Sequence, residues 1–147
     1  MIILILEKSC GAVIMRKTPQ KSTEVLLVKM QNGGHYSFPK GHVEGNETEH
    51  ETARREIAEE VSLEVNFLDG FRETNGYSPK EGVYKDVIYF AAVPSGGSLK
   101  RQEEEITDTA WYAPQEALEL VTYENDKKIL QKALDFFNDH EGGQNNA

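Results

Sequence analysis

Apolar positions along this chain recur with two different periods, and each change of period marks a new element. Two β-branched-rich runs, SCGAVIMR at 9–16 and EVLLVKM at 24–30, read as paired strands. The polar stretch KTPQKST, which carries Pro19, separates them. The N-terminal run MIILILE is too short to span a membrane, has no basic leader and is followed by no small-residue cleavage site, so it reads as a lead-in strand. A loop with four glycines, QNGGHYSFPKGHVEGN, occupies 31–46. From about residue 49 the period becomes helical, with Ala53, Ile57 and Val61 supplying a buried stripe. Thr48 with Glu51 three residues on is the capping-box pattern for its start. Strand patterning returns in LEVNFLDGFRET (63–74) and VYKDVIYFAAV (83–93), with GYSPKEG (76–82) as the loop between them. DTAWYAP predicts a short last strand, and PQEALELV a short helix with Pro114 in its first turn. Leu130, Ala133, Leu134 and Phe137 predict a final helix over 125–138, with Phe136 and Phe137 given to core packing. The tail 141–147, EGGQNNA, is expected to be disordered beyond a single domain at 1–140. Strands in the middle covered by helices make an α+β or α/β sandwich around a mixed sheet.

Composition narrows the classes of function. With 147 residues, 38% hydrophobic and 28% charged, the chain has the makings of one globular domain. Its net charge of −9 argues against an extended grip on nucleic acid or on an anionic membrane, since both require clustered Lys and Arg. A polyanionic small ligand stays open, because metal ions held by carboxylates reverse the local sign. The single cysteine, Cys10, rules out an internal disulfide and any Cys-rich zinc site, and reads as a small buried strand residue. With no targeting signal in view, the expected compartment is the cytoplasm.

The chemistry concentrates between Gly41 and Leu63, GHVEGNETEHETARREIAEEVSL. Glu56, Glu59 and Glu60 stand at i, i+3 and i+4 of the helix, so their carboxylates share a face. That face lies about 100° from the Ala53/Ile57/Val61 stripe, at the rim of the core. Like charges so placed repel, and a hard divalent cation resolves the conflict. Taken alone, REIAEE is more often the pattern of a solvated acidic helix face. The wider register separates the two readings. Gly41, Glu47, the pair Arg55–Glu56, aliphatic Ile57, and Glu59–Glu60, with Leu63 closing the run, resemble the Nudix box. The chain departs from it at Ser62, where the family carries a glycine that ends the helix in a left-handed turn; a serine there costs on the order of 1 kcal/mol.

The resemblance implies an α/β/α sandwich, a hydrolase acting on a phosphoanhydride, and magnesium as cofactor with manganese as a substitute. It implies Glu56, Glu59 and Glu60 as metal ligands with the Gly41 carbonyl as a further one, and a structural ion pair between Arg55 and Glu47. A Glu six residues before a Trp serves as general base in many members; before Trp111 that position is Glu105, in the run Glu103–Glu104–Glu105, with Glu104 as fallback and Glu59 able to act itself. Such a base accepts the proton of the attacking water.

SCGAVI, FPKGHVE, the segment ending in Tyr77, and the strand around Tyr89 are similar to the asymmetric diadenosine tetraphosphate hydrolases, over roughly residues 9–137. That likeness implies phosphate contacts from His35, Lys40, His42 and Lys85, with Tyr77 and Tyr89 lining the base or phosphate site. It implies ATP and AMP as products. A nucleoside triphosphate pyrophosphatase uses the same box with a different base pocket, and a non-catalytic nucleotide sensor typically loses box carboxylates that this chain keeps. The oligomeric state is left open by the sequence.

Overall fold

The computed structural model describes residues 3–145, with side chains to residue 140. Its sheet is organised on β1 (Ile5–Lys17), which runs parallel to β6 (Val83–Gly97) from Ile5↔Val83 to Ile14↔Ala92. The far end of β1 pairs antiparallel with β2 (Thr23–Met30), and its middle with β4 (Lys40–His42). Outward from these lie β3 (Tyr36–Ser37) and β7 (Ile106–Tyr112) on β2, and β5 (Leu63–Lys80) on β6. The sheet is mixed, as the sequence pattern implies.

Period-two alternation along β1 gives the sheet two apolar faces. Cys10, Ala12 and Ile14 face α1 (Glu49–Val61), where they meet Ala53, Ile57 and Val61. Val13 and Met15 face the other way, against α2 (Pro114–Leu120) and α3 (Glu124–Asn145) through Ala117, Leu130, Ala133 and Phe137. Helices therefore cover both faces, and the α+β sandwich of the sequence reading is the observed architecture.

Three elements differ from the sequence pattern. The lead-in run and the strand at 9–16 form one strand, β1, from Ile5. The loop expected over 76–82 shrinks to a turn at Glu81–Gly82, because β5 continues to Lys80 and Gly82 takes a φ of 80° that closes the hairpin tightly. Pro79 lies where the β5–β6 register shifts, between Tyr77↔Lys85 and Lys80↔Val83. The final helix extends past 138 to Asn145; of the tail expected at 141–147, the side chains throughout and residues 146–147 entirely lie outside the described residues.

The start and end of α1 follow local chemistry. Thr48 accepts the Glu51 backbone N–H at 3.1 Å while the Glu51 carboxylate accepts the Thr48 N–H at 2.9 Å, completing the capping box. The C-terminal end turns at Ser62 with φ 62° and ψ 31°, the left-handed conformation that the missing glycine would have adopted without a Cβ penalty.

Candidate active site

The Gly-rich loop is built around β4, three residues too short to announce themselves by periodicity. Pairing Gly41 with Cys10 turns the Gly41 backbone toward α1 and puts Lys40 and His42 on the opposite face of the sheet. A Cβ at Gly41 would overlap the Glu56 carboxylate, so only glycine lets that carboxylate lie against the backbone. One turn on, Glu60 is 2% exposed, and its Oε2 accepts the Lys40 backbone N–H at 3.1 Å. Burial pushes the Glu60 carboxyl up to about 8; the Lys40 charge opposes the shift, and Glu56 and Glu105 add to it. Burial also raises Glu56, with Arg55 opposing it and Glu59 and Glu105 reinforcing it.

Arg55 orders the loop in front of this pair. Its Nε and Nη2 donate to the two Glu47 carboxylate oxygens at 2.7 and 3.0 Å, and Nη2 also reaches the His42 carbonyl at 2.9 Å. The fork holds the Glu47 carboxyl down at about 2. Arg55 Nη1 further donates to Glu56 at 2.8 Å and Glu59 at 3.2 Å. Glu59, which is exposed, is therefore turned toward Arg55, whereas Glu60 is turned into the interior. Among the described residues no three acidic, His or Cys side chains are already arranged as a metal-binding set. What the fold does assemble is two carboxylates of raised pKa beside the Gly41 backbone. That all-oxygen donor set, costly to leave ionised and uncompensated, fits a hard divalent cation of the magnesium type.

Glu105 lies in the turn before β7, where its carbonyl accepts the Gln31 N–H at 2.9 Å. Its charge acts on both Glu56 and Glu60. The same segment is tied to the end of α1 by Gln102 N–H donating to the Glu60 carbonyl at 2.8 Å and Lys100 N–H to the Val61 carbonyl at 3.0 Å.

On the opposite face, a cleft of about 650 Å³ opens between the sheet and the start of α3. His35, Lys40, Tyr77, Lys85 and Tyr89 all line it. The register explains this meeting: Tyr77 stands opposite Lys85, and Tyr89 stands opposite Gly11, the partner of Lys40. Tyr77 reaches this row only because β5 extends beyond the loop boundary expected from sequence. Burial, then the neighbouring Lys40 charge, lowers the pKa of both His35 and Lys85. Tyr89 is almost fully buried, with its ring edge-on to Phe38 at 5.2 Å and its hydroxyl 3.5 Å from the Ser37 hydroxyl, so it forms the floor of the cleft while belonging to the core. His42 shares the sheet face but not the cleft; its ring turns to Glu7, at 3.9 Å, and lines a separate groove.

Sequence reasoning missed the α3 side of the cleft. Tyr123, 54% exposed, stands beside His35 with ring centroids 5.5 Å apart. Asp126 is buried beneath, held by the Ser37 hydroxyl at 3.3 Å and the Asn75 amide at 3.5 Å. Burial raises its pKa, against the pull of Lys40. Tyr123–Glu124–Asn125–Asp126 carries only a helix-start signature in sequence; its place in the cleft arises from α3 crossing the sheet.

Comparison with known proteins agrees with this geometry. The NUDIX domain family model matches residues 7–133. The asymmetrical bis(5'-nucleosyl)-tetraphosphatase of Sus scrofa is 32% identical over 139 residues, covering 88% of this chain and 94% of that protein. The Rattus norvegicus protein of the same name is likewise 32% identical over 139 residues, with 88% and 94% covered. Among solved structures, a binary complex of the C. elegans Ap4A hydrolase superposes with a TM-score of 0.81 at 27% identity, covering 90% of this chain and 98% of that one. Its box, its fold and these relatives agree: the chain belongs to the NUDIX domain family and is a Nudix hydrolase.

Proposed function

We propose that this protein hydrolyses diadenosine tetraphosphate to ATP and AMP with magnesium, or manganese in its place, in the cytoplasm. The observation that carries the reading is the juxtaposition, across β4, of the Glu56–Glu60 pair and a cleft with basic groups beside two exposed tyrosines. The names of the Sus scrofa and C. elegans relatives point to the same substrate.

In this mechanism Tyr77 and Tyr123 hold one adenine by its faces, and Asp126 below them offers an acceptor to the base edge. Lys40, Lys85 and His35 hold the phosphate chain along the sheet, where partial burial strengthens each contact. Glu56, Glu60 and the Gly41 carbonyl would hold the cation, with Glu59 released from Arg55 as a further ligand. When bound, magnesium lowers the pKa of coordinated water and offsets charge on phosphate oxygens. Glu105 accepts the proton of the attacking water as its oxygen bonds to phosphorus; the anhydride bond breaks and the pair of nucleotides departs. Glu47 and Arg55 keep the loop in place and take no part in proton transfer.

The test is incubation with magnesium and a panel of dinucleoside polyphosphates and nucleoside triphosphates, with products separated by chromatography. Diadenosine tetraphosphate should be the preferred substrate, yielding ATP and AMP, and Glu105→Gln should slow turnover by roughly two to four orders of magnitude. Preference for a triphosphate with pyrophosphate release overturns the substrate assignment, and nucleotide binding without any turnover overturns catalysis in favour of a sensor.

A further inference from the structure

A dinucleoside tetraphosphate has two identical ends, yet cleavage to unequal products requires the enzyme to hold them differently. The cleft between the sheet and α3 accounts for one nucleoside. Where β4 stops and β1 continues paired only to β6, there is a second, more open groove of about 380 Å³ lined by Leu6, Glu7, Lys8, His42 and Val43. The sheet register makes the two cavities neighbours. His42 follows Lys40 by two residues on the same face, and Glu7 stands opposite Lys85, so Lys40 and Lys85 form the ridge between groove and cleft. A phosphate chain lying along that ridge leads out of the cleft and into the groove.

On this basis, and resting on the hydrolase reading above, we propose that the groove is the subsite for the distal nucleoside, with the His42 ring as the platform for its base. The His42 side chain is 64% exposed, and its ring lies at the groove edge with Nε2 3.9 Å from the Glu7 carboxylate. An imidazole so presented offers a flat face to a purine. Leu6 and Val43 supply apolar surface, and the Glu7 carboxylate is an acceptor for a ribose hydroxyl or a base N–H. This replaces the phosphate contact expected of His42 from sequence with a stacking contact. The groove is smaller and more open to solvent than the cleft. The distal end is therefore gripped more weakly, which gives the two ends of a symmetrical substrate unequal anchors.

The experiment compares diadenosine tetraphosphate with adenosine tetraphosphate, which carries the same phosphate chain without the distal nucleoside, in wild type, His42→Ala and His42→Phe. Turnover is measured with magnesium, and binding is measured separately by calorimetry with calcium in place of magnesium. His42→Ala should weaken the dinucleotide relative to the mononucleotide roughly five- to tenfold in KM and in Kd, and His42→Phe should restore the ratio. Equal losses on both ligands, or failure of the phenylalanine ring to rescue, mark His42 as a phosphate contact and overturn the proposal. An unchanged ratio in His42→Ala also overturns it. If wild type cleaves neither nucleotide, the hydrolase reading fails, and the calorimetric ratio still decides the groove.

Discussion

Replacing Glu60 by Gln should make the metal-free protein more stable at neutral and alkaline pH while removing its activity. The reasoning starts from burial: Glu60 is 2% exposed and accepts one backbone N–H, from Lys40 at 3.1 Å. Its carboxyl therefore holds a proton up to about 8, against 4.5 for a solvated glutamate. A carboxyl whose folded pKa lies above its unfolded one binds protons more tightly in the folded state. Its contribution to stability is therefore most favourable below 4.5, declines as pH rises toward 8, and is flat beyond. At ~1.36 kcal/mol per pH unit, that interval sets a ceiling on the order of 5 kcal/mol, with about 3 kcal/mol already lost at pH 7. Glutamine keeps the acceptor for the Lys40 N–H and carries no charge. Thermal unfolding in chelator across pH 5–9 should show a wild-type midpoint that falls through this window and a Glu60→Gln midpoint that stays higher by roughly 5–10 °C at pH 7. Partly buried Glu56 and buried Asp126 also have raised carboxyls, and both are present in the two proteins, so the difference between the curves reports on Glu60 and its coupling to Glu56. Glu47 and Glu49, both held near 2, act only below this window. Adding magnesium at pH 8 should raise the wild-type midpoint and leave the variant unmoved. Parallel pH curves, or a variant less stable than wild type at pH 8, would refute the claim that Glu60 is an ionisable group buried at a cost.

Three further outcomes are expected. Gly41→Ala sets a methyl against the Glu56 carboxylate, so it should weaken magnesium binding, read by calorimetry, by more than tenfold while the Arg55–Glu47 fork keeps the loop folded. Ser62→Gly frees the left-handed end of α1 from its Cβ penalty and should gain about 1 kcal/mol in urea unfolding with no change in kcat; a loss of stability would mean that Ser62 is held there by contacts that outweigh the strain. Tyr123→Ala removes one exposed ring from the cleft and should raise KM for the nucleotide roughly tenfold with little effect on kcat, whereas a fall in kcat at constant KM would place Tyr123 outside base binding.

The sequence alone determined the features that short-range chemistry dictates. The capping box at Thr48 and the stripe of Ala53, Ile57 and Val61 follow from spacing within one helix, where i, i+3 and i+4 neighbours are fixed by geometry, whereas the left-handed end at Ser62 was visible only through the resemblance to the Nudix box. The order of strands and helices likewise pointed to a sandwich around a mixed sheet, whose two apolar faces carry helices in the structure. The carboxylate positions were legible as well, but their inequality was not: that Glu60 is buried, Glu56 pressed on Gly41 and Glu59 drawn out to Arg55 depends on what lies across from α1. Tertiary structure alone decided the composition of the cleft. Tyr77 and Lys85 meet through the β5–β6 register, Lys40 and Tyr89 through β1, and Tyr123 and Asp126 arrive with α3 from some forty residues further along the chain. His42, one residue from Gly41, was separated from the cleft by the side of the sheet ridge on which it fell. A repeat in sequence can say which face of an element is apolar; only strand register says which polar side chains that face is given for company.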